Sequence, residues 1–388
     1  MKKSSVVLLG CLFSLLVEAN DWQLVPSPPI LAAKAYVLMD ADTGNVLVEK
    51  NMLEHRDPAS LTKLMTTYIT VKQLHSKKIN EDDVVSVSVK AWKTAGSRMF
   101  IQPQHKPRVI DLLRGVIIHS GNDASVALAE YVAGSEEAFV QLMNQEAARL
   151  GMKNTHFANA HGYPEKDPAS EHYSSAYDLA LLSRAIIKED KEYYSIHAER
   201  EFAWNGMKAQ PNRNGLLWKD DSIDGLKTGM TDAAGFCLAA SAKRGKQRFI
   251  SIVLGSSSAR IREEETQKLL NYGFRFYSNY VVAKANEIIT SYRVFKGQAE
   301  QVDFGIKQDF VLTIVKGQEQ DINQEIFLTN HHLIAPIKRG DKLGELVVKS
   351  QDKELARIDV IALNDVEVGS LSKRLLDTIK LWWYALTR

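Results

Sequence analysis

The chain has 388 residues, 45% hydrophobic and 25% charged, with 49 lysines and arginines against 47 aspartates and glutamates. Those proportions exclude a disordered, collagen-like or coiled-coil chain, and the length calls for two or three domains. A net charge of +2 gives no basis for a nucleic-acid partner, and the two cysteines, Cys11 and Cys237, sit in contexts too different for a disulfide framework.

Lys2 and Lys3 precede an apolar run from Val6 to Val17, and Val17-Glu18-Ala19 suits a cut after Ala19, so residues 1–19 read as a secretory signal peptide. The run is too short to span a bilayer. Leu8-Leu9-Gly10-Cys11 also resembles a lipoprotein acylation signal, although only five apolar residues would precede the cysteine. Next comes a hairpin, Ala35–Met39 and Val46–Glu49 around the turn 40–45, and then a helix whose start is signalled by Asp57-Pro58-Ala59-Ser60. The segments 112–150 and 178–187 carry helical periodicity. Strands return at 225–228, 236–242 and 249–254, and a helix over 262–277 closes the unit. Strands from both ends of this unit, with helices between them, predict an α+β domain over 30–280. Short alternating apolar runs then predict a small all-β domain over 284–368. Solitary Cys237, in an apolar run, reads as an inert core thiol.

Residues 369–388 form a different kind of segment. At 100° per residue Leu371, Leu375, Leu376, Ile379, Trp382, Trp383 and Leu386 share one arc, opposite Lys373, Arg374, Asp377, Lys380 and Arg388. This is a basic amphipathic helix with adjacent tryptophans, suited to lying on an anionic membrane surface. Without residues 1–19 and this tail, the remaining body carries −2 and the tail +3.

Three short motifs carry chemistry. Ser60-Leu61-Thr62-Lys63 places a hydroxyl and an amine three residues apart, on one helix face. Ser120-Gly121-Asn122 follows a helical run, and Lys227-Thr228-Gly229 lies on a strand ahead of a turn. Any one of these is common by chance; the set, in this order and local structure, is specific. It resembles the serine penicillin-recognising proteins, and more closely the low-molecular-mass penicillin-binding proteins that are D-alanyl-D-alanine carboxypeptidases. Further stretches carry the resemblance: Asn159-Ala160-His161-Gly162, Ser174-Ser175-Ala176-Tyr177-Asp178, Asn212-Arg213-Asn214-Gly215-Leu216-Leu217-Trp218 and Asp224-Gly225 before Lys227.

The residue chemistry agrees with that resemblance. Ser60 is the candidate nucleophile and Lys63 its base, provided burial or a second cation such as Lys227 lowers the amine's pKa. Ser120 is suited to passing a proton to the departing amine, and Asn122 to holding Lys63 and the substrate amide. Lys227 suits the free carboxylate of a peptide terminus, Thr228 adds a hydroxyl beside it, and Gly229 leaves room for substrate backbone at the strand edge. The resemblance implies an oxyanion hole from the N–H groups of Ser60 and Met230, and an accessory binding role for Arg213. Relatives often carry histidine where Met230 stands, so a polar side chain is missing at the site mouth.

The function implied is removal of the terminal D-Ala from peptidoglycan stem peptides through a Ser60 acyl-enzyme that β-lactams also form. No cofactor or metal is expected: the chain has no His-Glu-x-x-His, and His161 and His172 read as hydrogen-bonded structural residues. Export followed by peripheral attachment to the outer, periplasmic face of the cytoplasmic membrane is the location this implies. A β-lactamase or DD-endopeptidase shares the motifs, but the nearest stretch to a deacylating Glu-x-x-Leu-Asn, Glu201 to Asn205, has Trp204 for the leucine and comes too late in the chain. A non-catalytic wall-binding protein would not need all four of Ser60, Lys63, Ser120 and Lys227. Residues 86–100 correspond to a loop edging the cleft, and 102–108 reads as a solvated turn.

Overall fold

The computed structural model describes residues 25–164, 171–351 and 353–387; residues 1–19, expected to be a signal peptide, and with them Cys11 lie outside these. β1 (Ala35–Asp40) and β2 (Val46–Lys50) form the opening hairpin. A 3-10 turn over Ala59–Thr62 leads into α1 (Lys63–His75), followed by α2 (Val89–Lys93), α3 (Val109–Ile117), α4 (Asn122–Ala133), α5 (Glu136–Arg149) and α6 (Ala176–Glu189). The helix-rich stretch 112–150 is thus three helices. Ser120, at φ +59°, and Gly134, at φ +84°, turn the chain between them, and the Ser135 hydroxyl caps α5 by accepting from Ala138 N.

A short hairpin, β3 (Glu201–Phe202) and β4 (Gln210–Pro211), precedes β5 (Ile223–Thr231), β6 (Gly235–Arg244) and β7 (Gln247–Ser256). These three join the opening hairpin in one antiparallel sheet of order β2-β1-β7-β6-β5, which leaves β5 as an edge. Both faces of the sheet are covered, so every residue of β1 is buried. Val37, Met39, Ile250 and Ile252 face α1 and α6, whereas Leu38, Phe249 and Val253 face α7 (Ala259–Phe276). That alternation is the period-2 pleat, with apolar side chains on both sides.

The second body begins sooner than the sequence pattern indicates. β8 (Tyr277–Ala283) follows α7 without a loop and pairs with β11 (Phe310–Val315). The other strands, β9 (Thr290–Phe295), β10 (Gln301–Gly305), β12 (Ile322–Leu328), β13 (Leu333–Ile334), β14 (Lys342–Ser350) and β15 (Lys353–Ala362), make a six-stranded sheet of order β12-β14-β15-β10-β9-β13. Val302, Phe304, Leu346, Val348 and Val360 are in its core.

The chain ends in α8 (Leu371–Leu386), which does dock on this body, but through its polar side. Asp377 is buried and accepts from Lys296 N at 2.7 Å, Lys373 pairs with Glu300 at 2.9 Å, and Tyr384 stacks on His332. Lys380 lies 3.8 Å from Asp377. Two of the tail's cations, Lys373 and Lys380, are therefore engaged with carboxylates. The apolar arc points away, with Trp382 65% and Trp383 63% exposed.

Candidate active site

Ser60 occupies the 3-10 turn rather than the first turn of an α-helix. Asp57 fixes that turn, since Oδ1 accepts from Ala59 N at 2.7 Å and Oδ2 accepts from the Thr231 hydroxyl at 2.7 Å, tying the turn to β5. Two glycines let neighbouring backbone approach. A Cβ on Gly162, at φ +73°, would stand 1.9 Å from Ala59 O. One on Gly229 would stand 3.0 Å from Pro58 O and 3.3 Å from Ser60 N. The missing side chain of Gly229 therefore lets β5 pack on the serine's own turn, a contact with no signal in the motif itself.

Lys63 is fully buried and donates to Ser60 Oγ at 2.9 Å and to His161 O at 2.6 Å. Burial holds its amine well below the usual lysine range, and the charges of Lys227 and Arg213 push it down further, outweighing the pull of Asp123. An amine neutral near pH 7 can accept the Ser60 proton. Lys227, also buried, donates to Thr228 O at 3.2 Å, and burial together with Arg213 and Arg262 pushes it down to about 7.

Asn122 departs from expectation. Its Nδ2 donates to Ala95 O at 2.6 Å, and its buried Oδ1 has no partner among the described residues. It braces the cleft loop and leaves one acceptor open, with no bond to Lys63. Ser120 is buried at the strained link from α3 to α4, two residues from Asn122.

A cleft of about 400 Å³ brings Ser60, Asn122, Arg213 and Met230 together, with Thr231, Gln210, Gly162 and Tyr163 and, from the preceding loop, Gly96, Ser97, Arg98 and Phe100. Met230 is 56% exposed at its mouth. Thr228 and Lys227 lie below the surface of β5. The three motifs carry no signal for Tyr163, in a loop, or Gln210, on β4, whereas Arg98 and Phe100 belong to the 86–100 segment expected at the cleft edge.

The histidines support backbone. His161 Nδ1 accepts from Tyr163 N at 3.0 Å, and burial beside Lys63 pushes its pKa down to about 3. His172 Nδ1 accepts from Ala158 N, so its Nε2 carries the proton and donates to the Thr62 hydroxyl at 2.8 Å. Cys237 is buried, its thiol pushed up to about 11. The 102–108 segment is a turn, its His105 set edge-on against Trp204.

A serine hydroxyl beside a buried, deprotonatable amine, on a turn packed against the edge strand of an antiparallel sheet, defines a serine acyl-transfer site of the penicillin-recognising class. The sequence model of the family described as Peptidase_S11, D-alanyl-D-alanine carboxypeptidase, matches residues 23–258, and that of the penicillin-binding protein 5 C-terminal domain matches 277–368. The chain is 42% identical over 366 residues to the D-alanyl-D-alanine carboxypeptidase DacD of Escherichia coli, spanning 92% of this chain and 93% of that one. Its structure is similar to that of penicillin binding protein 5 from Haemophilus influenzae, with a TM-score of 0.83, 38% identity, and 88% and 99% of the two chains covered. It is also similar to penicillin-binding protein D2 of Listeria monocytogenes in its ampicillin-bound form, with a TM-score of 0.58, 30% identity, and 63% and 98% covered. The chain belongs to the D-alanyl-D-alanine carboxypeptidase family and is a serine-type hydrolase.

Proposed function

We propose that Ser60 is the nucleophile through which this carboxypeptidase removes the terminal D-Ala from stem peptides ending in D-Ala-D-Ala. The observation that carries the reading is Lys63, buried with no carboxylate partner among the described residues and 2.9 Å from Ser60 Oγ. Its neutral amine takes the Ser60 proton as Oγ attacks the penultimate carbonyl, and the N–H groups of Ser60 and Met230 receive the developing oxyanion. Ser120 passes a proton to the departing D-Ala nitrogen. Lys227, Thr228 and Arg213 receive the terminal carboxylate, and Asn122 Oδ1 receives the amide N–H of the acyl portion. Water then attacks the ester, yielding the shortened peptide and restoring Ser60. A β-lactam acylates the same oxygen, a reading supported by the ampicillin-bound relative.

The test incubates the protein with a pentapeptide ending in D-Ala-D-Ala and measures free D-alanine. Release is expected from the wild type and none from Ser60→Ala. Fast turnover of a β-lactam with no D-alanine release would instead make it a β-lactamase.

In the same reading residues 1–19 direct export, 30–276 form the catalytic unit, 277–368 the β domain and 369–388 the attachment to an anionic membrane surface. No helix among the described residues is long and apolar enough to cross a membrane. What supports surface attachment is the outward apolar arc of α8, whose Leu371, Leu375, Leu376, Ile379 and Leu386 are all more than half exposed. In this reading the enzyme sits peripherally on the periplasmic face.

A further inference from the structure

Arg98 is a cation in the cleft that the reaction as written does not use. It stands in the loop between α2 and α3, the loop that Asn122 braces, whereas Arg213 and Lys227 are the cations whose charges act on Lys63. The guanidinium lies 5.6 Å over the Phe100 ring, and one Nη2 donates to Trp92 O at 2.5 Å. These contacts hold its plane while leaving most of its five N–H donors uncommitted. Its buried Nε has no partner among the described residues and stands 3.9 Å from Asp123 Oδ2.

Asp123 does not use up that charge. Its carboxylate already accepts from Met99 N at 2.8 Å, Ile101 N at 3.1 Å and Ala124 N at 2.9 Å, so it is committed to shaping the loop. The Arg98 side chain remains 28% exposed to the cleft, a half-sheltered position in which an ion pair with a bound group is screened less than at an open surface. The fork of a guanidinium matches a carboxylate, and in the reading above the peptide's terminal carboxylate is already received by Lys227, Thr228 and Arg213.

We infer that Arg98 determines substrate preference by pairing with a side-chain carboxylate on the stem-peptide residue immediately before D-Ala-D-Ala. That residue lies in the acyl portion, on the Asn122 side. Stem peptides that keep this carboxylate free are favoured over ones in which it is amidated or absent. The inference rests on the assignment of this cleft as the peptide site.

Three synthetic pentapeptides separate the possibilities, alike except at the residue before D-Ala-D-Ala: a diamino acid with a free side-chain carboxylate, its carboxamide, and lysine. D-Ala release gives kcat/KM for each with the wild type, Arg98→Lys and Arg98→Gln, and a melting curve for each variant checks that it folds. The wild type is expected to favour the free acid over the carboxamide by about tenfold, the size of one charge-assisted contact. Arg98→Gln brings that ratio to about one, and Arg98→Lys leaves a ratio in between. A loop that merely depends on Arg98 for its shape would lower all three substrates together and leave the ratio where it was. That outcome, or a wild type indifferent to the carboxylate, overturns the inference. Absence of D-Ala release from all three peptides by the wild type would instead overturn the peptidase reading, and the inference with it.

Discussion

The cleft and the final helix break the ordinary rule of burial in opposite directions. Around Ser60 the protein buries charge: Lys63 and Lys227 are almost wholly inside, beside each other and Arg213. In α8 it exposes hydrocarbon: two adjacent tryptophans and five aliphatic side chains face outward while a lone aspartate is tucked in. Each inversion is unfavourable for an isolated folded chain. In the cleft the cost is lessened because burial lowers the amines' hold on their protons, which suits Lys63 to the base role proposed above; on α8 it would be recovered only by an apolar surface outside the protein. Where burial is inverted, chemistry or a partner is the compensating term.

Replacing each inverted group separates the two regions. Lys63→Arg keeps length and positive charge but supplies a guanidinium that does not deprotonate, so D-Ala release is expected to fall about a thousandfold in kcat, within the range of general-base loss. Its binding to anionic vesicles should be unchanged. Loss of activity of only a few fold would mean that some other group takes the serine proton.

The second contrast lies within α8 itself. Trp382→Ser with Trp383→Ser removes apolar area from the outward arc and is expected to weaken binding to anionic vesicles about a hundredfold, at about 1.5 kcal/mol for each side chain, with D-Ala release retained. Asp377→Ala acts on the opposite face. It removes the acceptor for Lys296 N and should loosen the helix from the β domain by about 1 kcal/mol, read as faster amide exchange at Lys296. Vesicle binding should survive that change. If Asp377→Ala and the tryptophan pair weakened vesicle binding equally, the division of labour between the two faces would be wrong.

How much of this was legible in the sequence depends on how far a contact reaches along the chain. The three motifs, the hairpin of β1 and β2 and the apolar arc of α8 rest on neighbours a few residues apart, and periodicity exposes them. The use made of those residues does not. Gly229 faces a turn 169 positions earlier, Asn122 is bonded to Ala95, and Asp377 to Lys296. Helical spacing put Lys373, Asp377 and Lys380 on the polar face correctly, but solvent and a protein surface look the same to a polar pattern. The 86–100 segment was expected at the cleft edge, but an irregular loop has no period to betray which of its side chains, Arg98 among them, faces the cleft.

The smallest expected effect concerns the two buried amines, and it sharpens the comparison by asking how far their deprotonation goes. With burial and neighbouring cations holding Lys227 to about 7, it is cationic below that pH and loses its proton above it. A substrate carboxylate needs the cation, so kcat/KM should decline on the alkaline side by up to about tenfold per pH unit, while kcat declines later because a bound carboxylate raises the lysine's pKa. Lys63 acts in the opposite sense, since it must be neutral to work and limits the acid side. Lys227→Arg retains its charge throughout this range, so its own kcat/KM, whatever its absolute value, should change less than twofold between pH 8 and pH 9. A wild-type profile flat to pH 9 would show Lys227 still charged there, and would assign the lowering of Lys63 to burial with a fully cationic neighbour.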